Sequence, residues 1–253
     1  MLFLQNGEGM NYNGEPLKAY KKSAQYSYTL GAFPTMELIN KRPEDIIGIY
    51  VSSKYDGGVD FFKVCKDKNI HCEYNDKFLN KISTKENCYI AGAFNKFDCV
   101  LEEDTPHVVL VNVSDMGNLG TIIRTLAGFG ICDLGIVAPC ADVFNPKTIR
   151  ASMGAVFSIR IHVFESFDEY QNKYKNREMY PFMLDGDKTL NIYECEHSKK
   201  YTLIFGNEAT GLDSTFKNVG QSIFIPQTDM VDSLNLPISV GVGSFVFQNS
   251  KKQ

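Results

Sequence analysis

A single arginine, Arg124, interrupts an otherwise apolar stretch at residues 115–130, DMGNLGTIIRTLAGFG. At about 100° per residue, Leu119, Ile122, Ile123, Leu126 and Phe129 fall on one helical stripe. Arg124 projects from the opposite side, with Gly120, Ala127 and Gly128 one turn away. A glycine inside a helix costs roughly 1 kcal/mol relative to alanine, so Gly120 and Gly128 point to a close approach around a reachable cation. An ordinary solvated arginine on an amphipathic helix fits the same pattern. Two more stretches hold residues able to do chemistry. LIFGNEATGL (203–212) presents Asn207 and Glu208 in a glycine-bounded turn. IFIPQTDMVDSLNLPISVGVGSFVF (223–247) presents Ser233 and Asn235 after a strand that stops at Pro226. Each of the three is a loop at the C-terminal end of a strand, where open α/β sheets hold ligands. The first turn is not GxGxxG and no acidic residue follows at dinucleotide spacing, which argues against a Rossmann site.

The elements that must position these loops alternate along the chain. DIIGIYVS, IHCEYN and CYIAGAF read as strands, with helices at VDFFKVCKDK and DKFLNKIS between them. After the acidic turn LEEDTP comes HVVLVNV, a buried strand by its β-rich composition. There follow the Arg124 helix, the strand LGIVAP, and NPKTIRASMGAVF, in which Asn145 caps and Pro146 occupies the first helical turn. Then come IRIHVF, the polar helix SFDEYQNKYKN, MYPFML, YTLIFG, SIFIP and a last helix over about 234–247. This order predicts two α/β units with largely parallel sheets, divided near residues 101–106 into domains 1–103 and 104–253. Up to about residue 44 the chain reads as a basic, tyrosine-containing lead-in and a short helix. There is no internal repeat and no low-complexity tract.

At 253 residues and 43% hydrophobic content the chain can bury a substantial core. No apolar run approaches the ~18 residues of a membrane span, which argues against a membrane partner. The N-terminal apolar patch is too short for a secretory segment, and Met10 is a candidate start with residues 1–9 an extension. Seven scattered cysteines without a CxxC pair predict reduced core thiols of a cytoplasmic protein. The four histidines have no metal-ligand spacing with them, so no metal is expected. A net charge of −4 does not announce a nucleic-acid binder, but a local basic patch is what matters. Lys18, Lys21, Lys22, Lys41 and Arg42, interleaved with Tyr20, Tyr26 and Tyr28, form such a candidate, with tyrosines able to stack on unpaired bases.

In this order and at these separations the three motifs resemble the SpoU/TrmH family of RNA ribose 2′-O-methyltransferases, within the SPOUT superfamily. The match runs from about Val108 to Phe247, with NPKTIRASMG a further block between the first two motifs. The first half, through SYTLGAFPTMELI and FFKVCKDKNIHCEYN, is similar to the small α/β RNA-binding domain of ribosomal-protein type that precedes the catalytic domain in many members. The resemblance implies a SPOUT-type α/β methyltransferase domain with a C-terminal trefoil knot. It also implies a homodimer, with the donor pocket in the knot and the essential arginine near the subunit junction.

The implied reaction moves a methyl group from S-adenosylmethionine to a ribose 2′-hydroxyl, with ribosomal RNA favoured over tRNA by the appended domain. By the resemblance Arg124, Asn118, Glu208, Ser233 and Asn235 are the catalytic set. Gly206, Ile225, Leu234 and the backbone at Gln227 hold the adenosine, and Asn207 and Gly211 shape the loop. Arg124 most simply binds the target phosphate, because a guanidinium does not normally deprotonate. Glu208 orients Arg124 or Asn118, or serves as a helix N-terminal carboxylate; Asn235 bonds the loop or ribose, or caps a helix. Lys147 and Arg150 read as phosphate contacts or as a solvated helix face, and Lys21, Lys22 and Arg42 of the basic surface are the other candidate RNA contacts. Two departures stand out: Gln227 replaces the family's usual methionine, and LPISVGVGSF replaces its small-residue helix start. Two alternatives remain on the same fold, a tRNA 2′-O-methyltransferase and a non-catalytic RNA-binding or ribosome-assembly factor. A small-molecule enzyme with a nucleotide cofactor is a third.

Overall fold

The lead-in that reads as basic and tyrosine-rich contains a strand, β1 (Tyr26–Leu30). In this computed structural model, which describes residues 9–10, 14–83 and 88–252, Ser27, Tyr28 and Thr29 of β1 are all buried. The suggested N-terminal extension lies, apart from Gly9, outside the described residues. Composition hides β1 because its polar residues are buried with partners. Ser27 Oγ donates to the carbonyl of Phe144, and the Thr29 and Thr35 hydroxyls meet at 2.7 Å. A buried hydroxyl is tolerated once it is hydrogen-bonded.

The first unit continues with α1 (Ala32–Lys41), β2 (Ile46–Val51), α2 (Phe61–Asp67), β3 (Cys72–Tyr74), α3 (Asp76–Ile82) and β4 (Ile90–Asn95). Its sheet runs β1-β4-β2-β3. Only β2 and β3 are parallel, since β4 inserts antiparallel to both β1 and β2. This sheet is therefore mixed, and the expectation of a largely parallel one fails here: the missed strand β1 supplies half of the antiparallel pairing.

The second unit carries β5 (His107–Val111), α4 (Met116–Gly128) and β6 (Asp133–Val137). The chain then re-enters the first unit for residues 142–157, including α5 (Pro146–Ala151). Asn145 caps α5 by accepting from the Lys147 N–H at 3.0 Å. Phe144 and Phe157 fix this segment edge-on against Phe94, at 6.1 and 5.1 Å between ring centres, and Phe144 meets Phe97 at 5.0 Å. The units thus comprise residues through Phe97 with 142–157, and 98–141 with 158–253, where the sequence suggests one division at 103/104. The NPKTIRASMG block goes with the first unit. Back in the second unit follow β7 (Arg160–Phe164), α6 (Phe167–Lys173), β8 (Glu178–Pro181), β9 (Lys188–Thr189), β10 (Glu196–His197), β11 (Tyr201–Phe205), β12 (Ile223–Phe224), α7 (Leu236–Asn249) and β13 (Lys251–Lys252).

Five strands form a wholly parallel sheet in the order β7-β6-β5-β11-β8. β5, β6 and β11 are buried at every residue, as strands covered on both faces must be. Short parallel pairs join β9 to β12 and β10 to β13, so SIFIP contributes only a two-residue strand. On α4 the stripe Leu119, Ile122, Ile123 and Leu126 is buried as the 3.6-residue period requires, whereas Phe129 is half-buried against Phe245 of α7 at 6.1 Å. At the opposite end of the sheet Asp133 is fully buried. It takes a two-pronged ion pair from Arg160 (2.6 Å each) and hydrogen bonds from Glu102 N–H (2.9 Å) and Thr105 Oγ (2.7 Å). This pins the 102–105 segment to β6.

Candidate active site

Motif one begins where β5 stops at Val111. Asn112 takes a left-handed backbone, φ 58°, and four residues later the chain opens α4 at Met116. Asp115 caps that helix by accepting the Asn118 N–H at 2.7 Å. Motif two begins at the end of β11, the strand next to β5, so the two turns lie side by side. Residues 207 and 211 close a tight loop through two backbone hydrogen bonds of 3.2 and 2.9 Å, with Gly211 at φ 67°. A Cβ on Gly206 would stand 2.1 Å from the Gly211 carbonyl carbon. Only glycine admits that approach. Inside the loop the Asn207 Oδ1 accepts from Ala209 N–H (2.8 Å) and Thr210 N–H (3.3 Å).

Glu208 joins motif two to motif one. Its carboxylate accepts from Ser114 N–H (3.2 Å) and Oγ (3.1 Å), Asp115 N–H (3.2 Å) and Asn118 Nδ2 (3.2 Å). Burial pushes this carboxyl up, but its own backbone N–H, the Asn118 amide and the Ser114 and Asp115 amides outweigh that and hold it below the ordinary glutamate range. Its charge sits at the N-terminus of α4, where the helix dipole favours an anion. Of the roles open to Glu208, two hold together: it orients Asn118 and it serves as the helix N-terminal carboxylate. Its hydrogen bonds do not include Arg124.

The loops of motifs two and three wall one cleft of about 250 Å³, whose lining includes Gly206, Asn207, Gly211, Ile225, Gln227 and Leu234, together with Glu208 and Ser233. Phe182 and Phe205, stacked at 4.4 Å, line it as well. All six residues expected around the donor are thus in one wall. Asn118 is tied to it through Glu208. Asn235 is the exposed residue that precedes α7 and makes no side-chain capping bond, so its capping reading does not hold. Arg124 is not in the cleft wall. It stands six residues beyond Asn118, about 9 Å of helical rise, exposed and without a hydrogen bond or ion pair among the described residues. Its small surroundings are also fewer than expected: Gly128 is open, but Gly120 is buried with the apolar stripe.

The expected RNA contacts divide. Lys21, Lys22, Lys147 and Arg150 are exposed. The Arg42 guanidinium lies over the Phe97 ring at 4.1 Å. Tyr28 is fully buried and donates to the Lys18 carbonyl, so it cannot stack on a base. Tyr20 donates to Asp142 and carries Lys96 Nζ over its ring at 4.9 Å. Arg42, Tyr20 and Tyr28 look like surface side chains in the sequence because the groups that hold them lie 10 or more residues away. Sequence reasoning also passed over Asn112, inside HVVLVNV, and the cleft residues 182–185, which follow β8. A strand-terminal asparagine is the only signal that marked the former. Among the described residues no group of His, Cys, Asp or Glu could hold a metal ion, and no helix is long and apolar enough to cross a membrane.

Residues 105–245, more than half of the chain, match the family model described as the SpoU rRNA methylase family. The chain belongs to that family. Similar SpoU-type proteins include an uncharacterised tRNA/rRNA methyltransferase of Synechocystis, 31% identical over 136 residues (53% of this chain, 50% of that one). A 23S rRNA (adenosine(1067)-2′-O)-methyltransferase of Streptomyces laurentii is 33% identical over 138 residues, 53% and 51% of the two chains. The matches span about half the length of these curated relatives. The crystal structure of an AdoMet-bound rRNA methyltransferase from Sinorhizobium meliloti superposes with a TM-score of 0.72 at 26% identity. It covers 88% of this chain and 86% of that one, so the SpoU likeness in fold extends through both units.

Proposed function

We propose that this chain transfers the methyl group of S-adenosylmethionine to a ribose 2′-hydroxyl of RNA, with ribosomal RNA the favoured substrate. The observation that carries this reading is the cleft: motifs two and three enclose it, and Glu208 ties it to the turn that opens the Arg124 helix. The residues present fit the donor. Ile225, Leu234 and the Phe182–Phe205 pair offer apolar contact to an adenosine, and the Gly206–Gly211 approach exposes backbone groups without side chains in the way. The sulfonium supplies a good leaving group, so the chain's own task is alignment and help with the hydroxyl proton. Ser233, on the rim of the motif-three loop, is available to the sugar. Arg124 binds the target phosphate.

The working unit in this reading is a homodimer with the last part of the chain knotted as in the family. Ile238 and Phe245 of α7 are 55% and 47% exposed, and Phe129 of α4 lies against Phe245. That apolar strip suits a second copy, and a second copy would bring another Arg124 toward the cleft. Lys21, Lys22, Lys147 and Arg150 of the first unit supply cations for the RNA backbone. Seven cysteines, none in a disulfide among the described residues, favour a reducing, cytoplasmic setting. The test is a tritiated-methyl assay on unmodified rRNA and tRNA transcripts with ribose analysis of the product. Label on a ribose of rRNA is expected. Label on a base, or none while the folded protein binds donor, refutes the reading.

A further inference from the structure

We propose that Asn112 is a positioning residue that holds the ends of β5, β6 and β11 in register and so shapes the motif-two loop of the cleft, a role that rests on the methyl-transfer reading above. Its backbone N–H, its carbonyl and its side-chain Nδ2 each hold a group from another strand end. Its N–H donates to the Val137 carbonyl at 3.2 Å, at the end of β6. Its side-chain Nδ2 donates to the carbonyls of Ala138 (3.0 Å) and Pro139 (3.4 Å), just beyond that strand. Its own carbonyl accepts from Asn207 Nδ2 at 2.8 Å, at the end of β11. The backbone here is left-handed, at φ 58°, so the position of that carbonyl depends on a turn past the end of β5 and not on the strand itself. Glycine, asparagine and aspartate tolerate this conformation, whereas other L-residues are strained in it.

The consequence reaches the cleft through one side chain. Asn207 spends its amide nitrogen on Asn112 and its amide oxygen on Ala209 and Thr210, which line the cavity. With Asn112 in place, the Asn207 side chain is fixed at both ends and the 207–211 loop keeps its shape. Glu208, the next residue, takes donors from 114, 115 and 118. Two consecutive side chains of motif two are therefore docked on one short stretch of motif one, and Asn112 is the first point of that dock. The anchor is the backbone carbonyl, so it survives substitutions that keep the backbone and fails in those that do not.

This distinction makes the proposal testable with the full chain. In Asn112→Gly the left-handed turn and its carbonyl remain, so the Kd for S-adenosylmethionine, measured by calorimetry, should stay within about twofold. In Asn112→Ala the turn is strained and the carbonyl shifts. Donor Kd should then rise about five- to tenfold, the worth of one lost hydrogen bond. If Asn112→Ala does not fold, Asn112→Ser replaces it: that variant is likewise strained in the left-handed turn but keeps a polar side chain, and the same weakening is expected. In an Asn207→Ala background the Asn112→Ala effect should disappear, because the two share one contact. A folded Asn112→Ala with unchanged Kd overturns the proposal, as does a glycine variant weakened as much as alanine. If the unaltered protein binds no donor, the methyl-transfer reading fails by itself, and amide exchange decides the anchor. Ala209 and Thr210 should exchange faster in Asn112→Ala and not in Asn112→Gly; equal exchange in both overturns it.

Discussion

Replacing Glu208 by glutamine separates two roles that a motif-two carboxylate could play. The substitution keeps the length of the side chain and one carbonyl oxygen, but removes the charge that faces Ser114 N–H, Asp115 N–H and Asn118 Nδ2. Hydrogen bonds to a charged group contribute about 1.5–3 kcal/mol each when buried, and a carboxylate at a helix N-terminus about 0.3–1 kcal/mol. These contacts border solvent, so water replaces part of what is lost, and a total near 1–2 kcal/mol is expected. For a protein of this size that is a fall in Tm of about 2–8 °C. The sign with pH follows from the direction of the shift. A carboxyl held below its ordinary value of 4.5 stabilises the fold at all pH values above that, and the contribution is lost as pH falls through the folded value. The Tm gap between the two proteins should therefore be constant from pH 6 to 8 and close in acid. As an anchor, Glu208 predicts a roughly tenfold loss in kcat for Glu208→Gln with donor Kd little changed. As a general base it would predict a loss of about 10²–10⁴. A loss of that size with an unaltered Tm would refute the anchoring argument.

Arg124→Ala should abolish methyl transfer in the tritiated-methyl assay while leaving donor Kd within about twofold, since the side chain is outside the cleft wall; near-normal turnover would remove its role. Gly206→Ala sets a Cβ against the Gly211 backbone, a strain of about 1–3 kcal/mol by the measure of overpacked sites, and calorimetry should register at least a tenfold weaker donor. Mixing the Arg124→Ala and Gly206→Ala proteins should restore part of the activity if the arginine serves the partner's cleft, and none if each chain works alone. Asp133→Asn removes the charge facing Arg160. Because Asp133 is fully buried and Arg160 about one-third exposed, a loss of about 2–4 kcal/mol is expected in urea unfolding. Burial raises the Asp133 carboxyl, but Arg160, Thr105 and Glu102 hold it below 3.8, so this stabilisation is complete at neutral pH and disappears only in strong acid.

What could be read from the amino-acid order, and what could not, divides by the distance between partners. Asn145 before Pro146 marks α5 because cap and helix are neighbours in sequence, and the alternation of strands and helices after residue 106 yields a parallel sheet because each βα unit is local. β1 escaped because Ser27 and Thr29 look like surface until Phe144 and Thr35 are brought to them. Tyr28 and Arg42 escaped for the same reason, one buried and the other stacked on a ring from the far end of its unit. The role of Glu208 was open between two partners and a helix terminus. Only the insertion of β11 beside β5, some ninety residues apart in sequence, makes the α4 N-terminus the answer.

The same sheet order explains why the site separates into a closed part and an open one. β5 and β11 are neighbours, so motifs one and two must meet, and they do so through side chains that leave no unused acceptor on Glu208. Motif three closes the cleft from the other side, and its serine faces the cavity. Arg124 shares a helix with Asn118 but is exposed and outside the cleft lining, with no hydrogen bond or ion pair among the described residues. A cation with no partner among the described residues is poorly explained as a stabilising feature of its own unit. In the methyl-transfer reading proposed above it is a group whose ligand comes from outside, an RNA phosphate held while a cleft offers the methyl group.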